Sequence, residues 1–83
     1  MVFNEGYFSI NDKIGDIMKN EAGETFITSM ISKVSTAMNI NVNKGMLNMA
    51  KGLTIQKVFE IAGDRFPESF KVWVNNELQK ISK

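Results

Sequence analysis

The stretch Asn20-Glu21-Ala22-Gly23-Glu24-Thr25-Phe26-Ile27-Thr28-Ser29-Met30-Ile31-Ser32-Lys33-Val34-Ser35-Thr36-Ala37-Met38 decides the fold. Phe26, Ile27, Met30, Ile31, Val34, Ala37 and Met38 recur at spacings of three and four, which gathers them on one face of an α-helix. Thr25, Ser29, Ser32, Lys33, Ser35 and Thr36 fill the other face. Asn20 offers a side-chain oxygen to the unbonded amides of the first turn, and Glu21 and Glu24 set negative charge against the positive end of the helix dipole. The run Asn39-Ile40-Asn41-Val42-Asn43-Lys44-Gly45 should stop this helix, because Asn and Gly favour turn and left-handed conformations. Within it Ile40 and Val42 read as part of a buried loop.

A helix with one apolar stripe needs neighbours to cover it, and the flanking sequence offers short helices on both sides. Upstream, Asp12 reads as the N-cap of a helix from Lys13 to Lys19, with Ile14, Ile17 and Met18 on one face and Asp16 in the first turn. Residues 1–10 mix Phe3, Tyr7, Phe8 and Ile10 with Asn4, Glu5 and Gly6, the composition of an extended lead-in whose aromatics tuck against the helices, or of a linker remnant. Downstream, a helical turn is expected from Met46 to Lys51, with Gly52 at its C-terminal cap. Thr54 then caps a helix from Ile55 to Ala62, Leu53 and Val58 are spaced as a hydrophobic staple, and Gly63 ends it. Pro67 belongs to the first turn of a last helix reaching Ile81, with Phe70, Trp73, Val74, Leu78 and Ile81 turned inward. Ile14-Gly15-Asp16-Ile17-Met18 and Ile55-Gln56-Lys57-Val58-Phe59 echo each other, an echo best explained by convergence on a short helix packed by one face. The expected fold is all-α: a single domain over residues 1–83 with four to five helices around a central amphipathic helix.

Composition narrows function by exclusion. The 83 residues include no cysteine and no histidine, so thiolate and imidazole, the usual zinc, iron and copper ligands, are missing together with the usual base near neutral pH. Eight aromatics and 43% hydrophobic content furnish one modest core but not a deep substrate cavity besides. The carboxylate pairs Asp12 with Asp16 and Asp64 with Glu68 stand one turn apart, a common arrangement on solvated faces. The expectation is therefore a chain that is not an enzyme, with no catalytic residues, no cofactor and no metal site. A formal charge of +1 is too small to recruit nucleic acid or an anionic membrane by itself. No apolar run approaches the roughly 20 residues that cross a bilayer, and Met1-Val2-Phe3-Asn4-Glu5 does not open like a secretion signal, so a soluble chain is expected, with its compartment open.

The order of Asp12-Lys13-Ile14-Gly15-Asp16-Ile17-Met18, a long central helix, and Met46-Leu47-Asn48-Met49-Ala50-Lys51-Gly52-Leu53-Thr54-Ile55 resembles the small helical domain carried at the C-terminal end by some bacterial glycoside hydrolases. The resemblance spans residues 8–81. It implies a non-catalytic accessory module whose parent enzyme does the chemistry elsewhere, and whose partner is a parent catalytic domain or a second copy.

Two other classes fit less of the chain. Residues 54–75 resemble a helix-turn-helix, the alternative being a nucleic-acid-binding regulator. However, Phe59 stands where that motif holds a small residue, Asp64 where it holds an apolar one, and Pro67 and Glu68 open the reading helix, leaving only Arg65 and Lys71 as nearby cations. Acyl and peptidyl carriers are helical proteins of this size, but their Asp-Ser-Leu attachment motif is absent.

Candidate interaction residues follow from what a small bundle leaves uncovered. Met18, Met30 and Met38 lie on or near apolar stripes and read as core, whereas Met46 and Met49 sit on a short helix near the surface. Met46, Leu47 and Met49, with Phe3 and Tyr7 of the lead-in, form the expected protein-interaction patch. Trp73, spaced with Phe70 and Val74, reads as core rather than as a stacking platform. In solution this helix grammar should give a mainly helical far-ultraviolet circular dichroism spectrum that is lost cooperatively on heating; a sheet-dominated spectrum would refute it.

Overall fold

The computed structural model describes residues 1–39 and 43–83, and of residues 37 and 38 the backbone alone; the loop expected at Ile40 and Val42 lies outside the described residues. The architecture is all-α. Among the described residues five helices follow one another, α1 (Ile14–Met18), α2 (Glu21–Met38), α3 (Lys44–Ala50), α4 (Ile55–Ala62) and α5 (Glu68–Leu78), with a 3-10 turn (Gly63–Arg65) between the last two.

The starts of α2, α3 and α4 are set by a local donor and acceptor balance. The Asn20 side chain accepts from the Gly23 amide at 3.1 Å and opens α2, and Asn39, left-handed at φ 54°, closes it with its amide on the Ser35 carbonyl. Asn43 accepts from the Met46 amide at 2.9 Å, so α3 begins two residues before the expected Met46. Thr54 caps α4 through the Lys57 amide at 3.0 Å, and Gly63 ends it at φ 63°, where a side chain would be strained. Pro67 stands one place outside α5, its carbonyl accepting the amides of Phe70 and Lys71.

The start of α1 differs from the sequence reading. Lys13, not Asp12, occupies the N-cap and makes no side-chain cap bond. The reason is that two of the amides Asp12 would have capped are already taken: Ile14 donates to the Leu53 carbonyl at 2.9 Å and Gly15 to the Lys51 carbonyl at 3.1 Å. The α3–α4 connection therefore caps α1, and the favour is returned when the Gln56 amide of α4 donates to the Ile10 carbonyl at 2.8 Å. Lys13 and Thr54 pair as an antiparallel bridge at this crossing. Asp12 instead accepts from the Ser9 amide at 2.9 Å and meets the Lys83 ammonium at 3.1 Å. The two echoing segments are thus set side by side, with Ile14 and Ile55 both buried.

The core comprises Phe8, Ile10, Ile14, Ile17, Ile27, Ile55, Phe59, Val74 and Leu78, with Met18, Phe26, Met30, Ile31, Phe66, Phe70 and Ile81 packed around it. Two core residues come from the lead-in, which is held to α5 and the chain's end rather than left trailing. Phe8 donates its amide to the Ile81 carbonyl, Lys83 donates to Gly6, and Tyr7 bridges Ser82. Asn75 fixes the rest: fully buried, its Oδ1 accepts the Ile10 amide at 3.1 Å and its Nδ2 donates to the Val2 carbonyl at 2.7 Å. Gln79, one turn on, does likewise, accepting from the Asn4 amide and donating to the Phe8 carbonyl, both at 2.7 Å.

This polar docking rotates α5. With Asn75 drawn inward, the buried face is Val74, Asn75 and Leu78, and Trp73, expected in the core, is 39% exposed. The helix also ends at Leu78, short of the expected Ile81.

Two variants test these constraints. Asn75→Ala orphans the buried Ile10 amide and removes two hydrogen bonds, and should lower the unfolding free energy in urea by about 2–4 kcal/mol, against about 1 kcal/mol for Gln79→Ala. Gly23→Ala should also destabilise, although intrinsic helix propensity alone would favour Ala by about 1 kcal/mol. A Cβ there would collide with the Ile17 carbonyl oxygen and stand 2.9 Å from its Cγ2, so α1 and α2 would have to separate. A Gly23→Ala chain that melts higher than the parent would contradict the close helix approach.

Candidate functional site

Where α2, α3, α4 and α5 meet above α1, the core is not filled. A half-open cavity of about 240 Å³ lies there. Ile27, Met30, Ile31 and Val34 of α2 form one wall, Met46, Leu47 and Ala50 of α3 a second, and Ile55, Val58 and Phe59 of α4 a third. Ile14, Phe66 and Phe70 complete it, and the lining is almost wholly apolar. The cause lies in the sequence. The α2 helix runs over eighteen residues, whereas α3 has seven and α4 eight, so among the described residues these short helices cannot cover the long one along its length.

Aromatic packing stiffens one side. Phe66 stacks on Phe70 at 5.3 Å between ring centroids, Phe70 on Trp73 at 6.1 Å, and Phe59 meets the edges of Phe66 and Phe70 at 5.7 and 6.4 Å. Trp73 also leans on Phe26 of α2 at 5.8 Å, with the Lys33 ammonium 5.4 Å from its ring centre. Its exposed position is thus the end of an aromatic row, and the Lys71 ammonium lies 5.9 Å over Phe59 further back along the row.

The expected interaction residues divide. Met46 and Leu47 line the cavity, Met46 being 46% exposed, and Met49 on the outer side of α3 is 79% exposed. Phe3 and Tyr7 are exposed as well, but they belong to the lead-in held along the end of α5 and line no part of the cavity. The walls from α2 and α4 are candidate contact residues that the sequence offered only as core, because stripe spacing reports which face turns inward and not whether a neighbour fills it.

The carboxylates singled out from the sequence have local partners or none in common. Asp12 serves Ser9 and Lys83 as described, and Asp16 pairs with Lys19 at 3.7 Å. Among the described residues no three acidic side chains gather where they could hold a metal ion, and no helix is long and apolar enough to cross a membrane. In residues 54–75, Phe59 is buried beneath Phe66 and Phe70, so the two helices are spaced by aromatic rings.

Filling the cavity from its own wall is the direct test of its vacancy. Ala50→Leu should raise the unfolding free energy by about 0.5–1 kcal/mol, read from the shift of the urea midpoint. A loss of stability would mean that α3 packs too closely for the space described. No known family model matches this chain, and neither does any curated protein or solved structure.

Proposed function

We propose that this chain is a non-catalytic protein-interaction domain that docks a partner through the apolar groove between α2, α3, α4 and α5, and that it serves as an accessory module of a carbohydrate-active enzyme. The single observation that supports docking is the groove itself: about 240 Å³ of apolar space, open to solvent, with the exposed Met46 on one bank. Methionine is flexible and polarisable, which suits a surface that adapts to a partner's side chains. Such a groove is the receiving half of helix-in-groove recognition, where apolar anchors at helical spacing supply the affinity. The link to a carbohydrate-active enzyme rests on the resemblance carried by residues 12–18 and 46–55.

The test is a titration of the chain, labelled at its methionine methyl groups, with the catalytic domain encoded in the same reading frame. The methyl resonances of Met30 and Met46 should shift, with a Kd in the micromolar range, and Met46→Lys with Met49→Lys should weaken binding about tenfold while leaving helicity intact. Unmoved methyls, together with duplex DNA bound at physiological salt and lost in Arg65→Ala with Lys71→Ala, would replace docking by the nucleic-acid reading of residues 54–75.

A further inference from the structure

The lead-in is held through its backbone, and the groups that hold it lie at the far end of the chain. Asn75 of α5 accepts the Ile10 amide and donates to the Val2 carbonyl, and Gln79 accepts the Asn4 amide and donates to the Phe8 carbonyl. Residues 81–83 continue the attachment, with Phe8 donating to Ile81, Lys83 donating to Gly6, and Tyr7 bridging Ser82. The side chains of Phe8 and Ile10, 7% and 2% exposed, belong to the core with Ile17, Val74 and Leu78. The end of α5 and the last residues therefore form a complete receiving site for an extended segment, in which backbone bonds supply affinity and two alternate apolar side chains fix the register.

What keeps the lead-in on its own body is short. Ile10 is tied at both backbone groups, its amide to Asn75 and its carbonyl to the Gln56 amide, and Lys13 is bridged to Thr54, which leaves Asn11 and Asp12 as the hinge. They sit in a tight turn. The Asp12 amide donates to the Ser9 carbonyl at 3.1 Å, the Asp12 carboxylate accepts the Ser9 amide at 2.9 Å and meets the Lys83 ammonium at 3.1 Å, and the Asn11 amide donates to Ser9 Oγ at 3.1 Å. Beyond that turn, every bond from the lead-in to α4, α5 and residues 81–83 can be made equally by an identical segment of a second copy. Extended, the backbone from Ile10 to Lys13 reaches about 10 Å, so two exchanging bodies must meet at the hinge.

We propose that residues 1–10 are an exchangeable arm and that the partner is a second copy of this chain. The two copies swap arms about a two-fold axis, each seating its Phe8 and Ile10 in the core of the other, with Asn11 and Asp12 as the hinge. A second copy brings the very segment to which this site is already complementary. Exchange reproduces the arm contacts and gives up the turn, so the closed single chain dominates when dilute, and the swapped pair gains with concentration or when the turn is opened. Phe8 and Ile10 line no part of the groove, so exchange stands or falls separately from docking there.

The test exploits the absence of cysteine from the sequence. Tyr7 and Ser82 oppose each other as an antiparallel pair that exchanges no hydrogen bond of its own. Such pairs stand about 4.5 Å apart between Cα atoms, a spacing a disulfide can span. Tyr7→Cys with Ser82→Cys should therefore close within one chain when the arm is home and between two chains when it is exchanged. The full chain carrying this pair is kept reduced up to about 1 mM, the order of the effective concentration of a short tethered arm. Monomer and dimer are then separated by size, oxidised, and run on a denaturing gel without reductant. The monomer fraction should close internally, the dimer fraction should run as a covalent dimer, and the internally closed chain should no longer dimerise. Asp12→Ala, which removes both partners of the carboxylate, should lower the dimer dissociation constant about tenfold. If circular dichroism shows that variant unfolded, Asn11→Pro takes its place, since it removes the bond to Ser9 Oγ and pushes Ile10 toward extended backbone. A dimer that oxidises only within its chains means that the copies meet through another face, and overturns exchange. So does a parent chain with no dimer at about 1 mM, or a folded hinge variant whose dissociation constant does not fall.

Discussion

The structure hinges on a reciprocal exchange of hydrogen bonds between the starts of α1 and α4. A helix of five residues cannot sustain itself, and its first amides have no partner within it. Here the carbonyls of Leu53 and Lys51 take the Ile14 and Gly15 amides of α1 respectively, while Ile10 takes the Gln56 amide of α4. Neither helix start is complete without the other segment, although some forty residues separate them. That crossing fixes Ile14 beside Ile55 and so sets the floor on which α2 lies. It also explains why Gly15 has no room for a side chain: a Cβ there would stand 3.0 Å from the Lys51 carbonyl oxygen.

From this floor the groove follows with little freedom. α1 and α4 are pinned together at one end of the bundle, the lead-in closes the α5 side through Asn75 and Gln79, and the aromatic row from Phe59 to Trp73 holds α5 at ring spacing from α4. The long α2 stripe is covered by α1 and part of α4, but α3 spans only seven residues and Met49 turns away from the space. The vacancy is therefore a consequence of helix lengths rather than of loose packing, since the residues beneath it, Ile17, Ile27, Ile55 and Phe59, are almost fully buried.

Much of this was legible from the residues. The α2 helix with its Asn20 cap, the Thr54 cap and Gly63 stop of α4, and the all-α class follow from spacing and turn chemistry, because those signals act within a few residues of each other. The misreadings share one cause, which is a distant backbone group competing with a local one. Asp12 was the natural cap for α1 until the Leu53 carbonyl supplied the bond, and Trp73 was the natural core residue until the Ile10 amide and Val2 carbonyl drew Asn75 inward. Asn75 itself carried no signal, since an asparagine in a helix reads as surface. Met46 and Leu47 stood out in the sequence because a short helix advertises exposure, and both line the cavity, whereas its walls from α2 and α4 were indistinguishable from core.

The antiparallel ladder between residues 6–8 and 81–83 sets the mechanical character of the domain. Gly6 with Lys83, Tyr7 with Ser82 and Phe8 with Ile81 are paired so that the backbone on both sides leaves from the same edge. A force applied through the ends meets these bonds one at a time, as in opening a zip, instead of shearing them together. The Val2 and Asn4 attachments to Asn75 and Gln79 would give way first, leaving the buried Asn75 side chain with its Ile10 bond. Tension on the chain would thus reach the core through its lead-in, by way of the α5 side chains of Asn75 and Gln79 and the α4 amide of Gln56 that hold it.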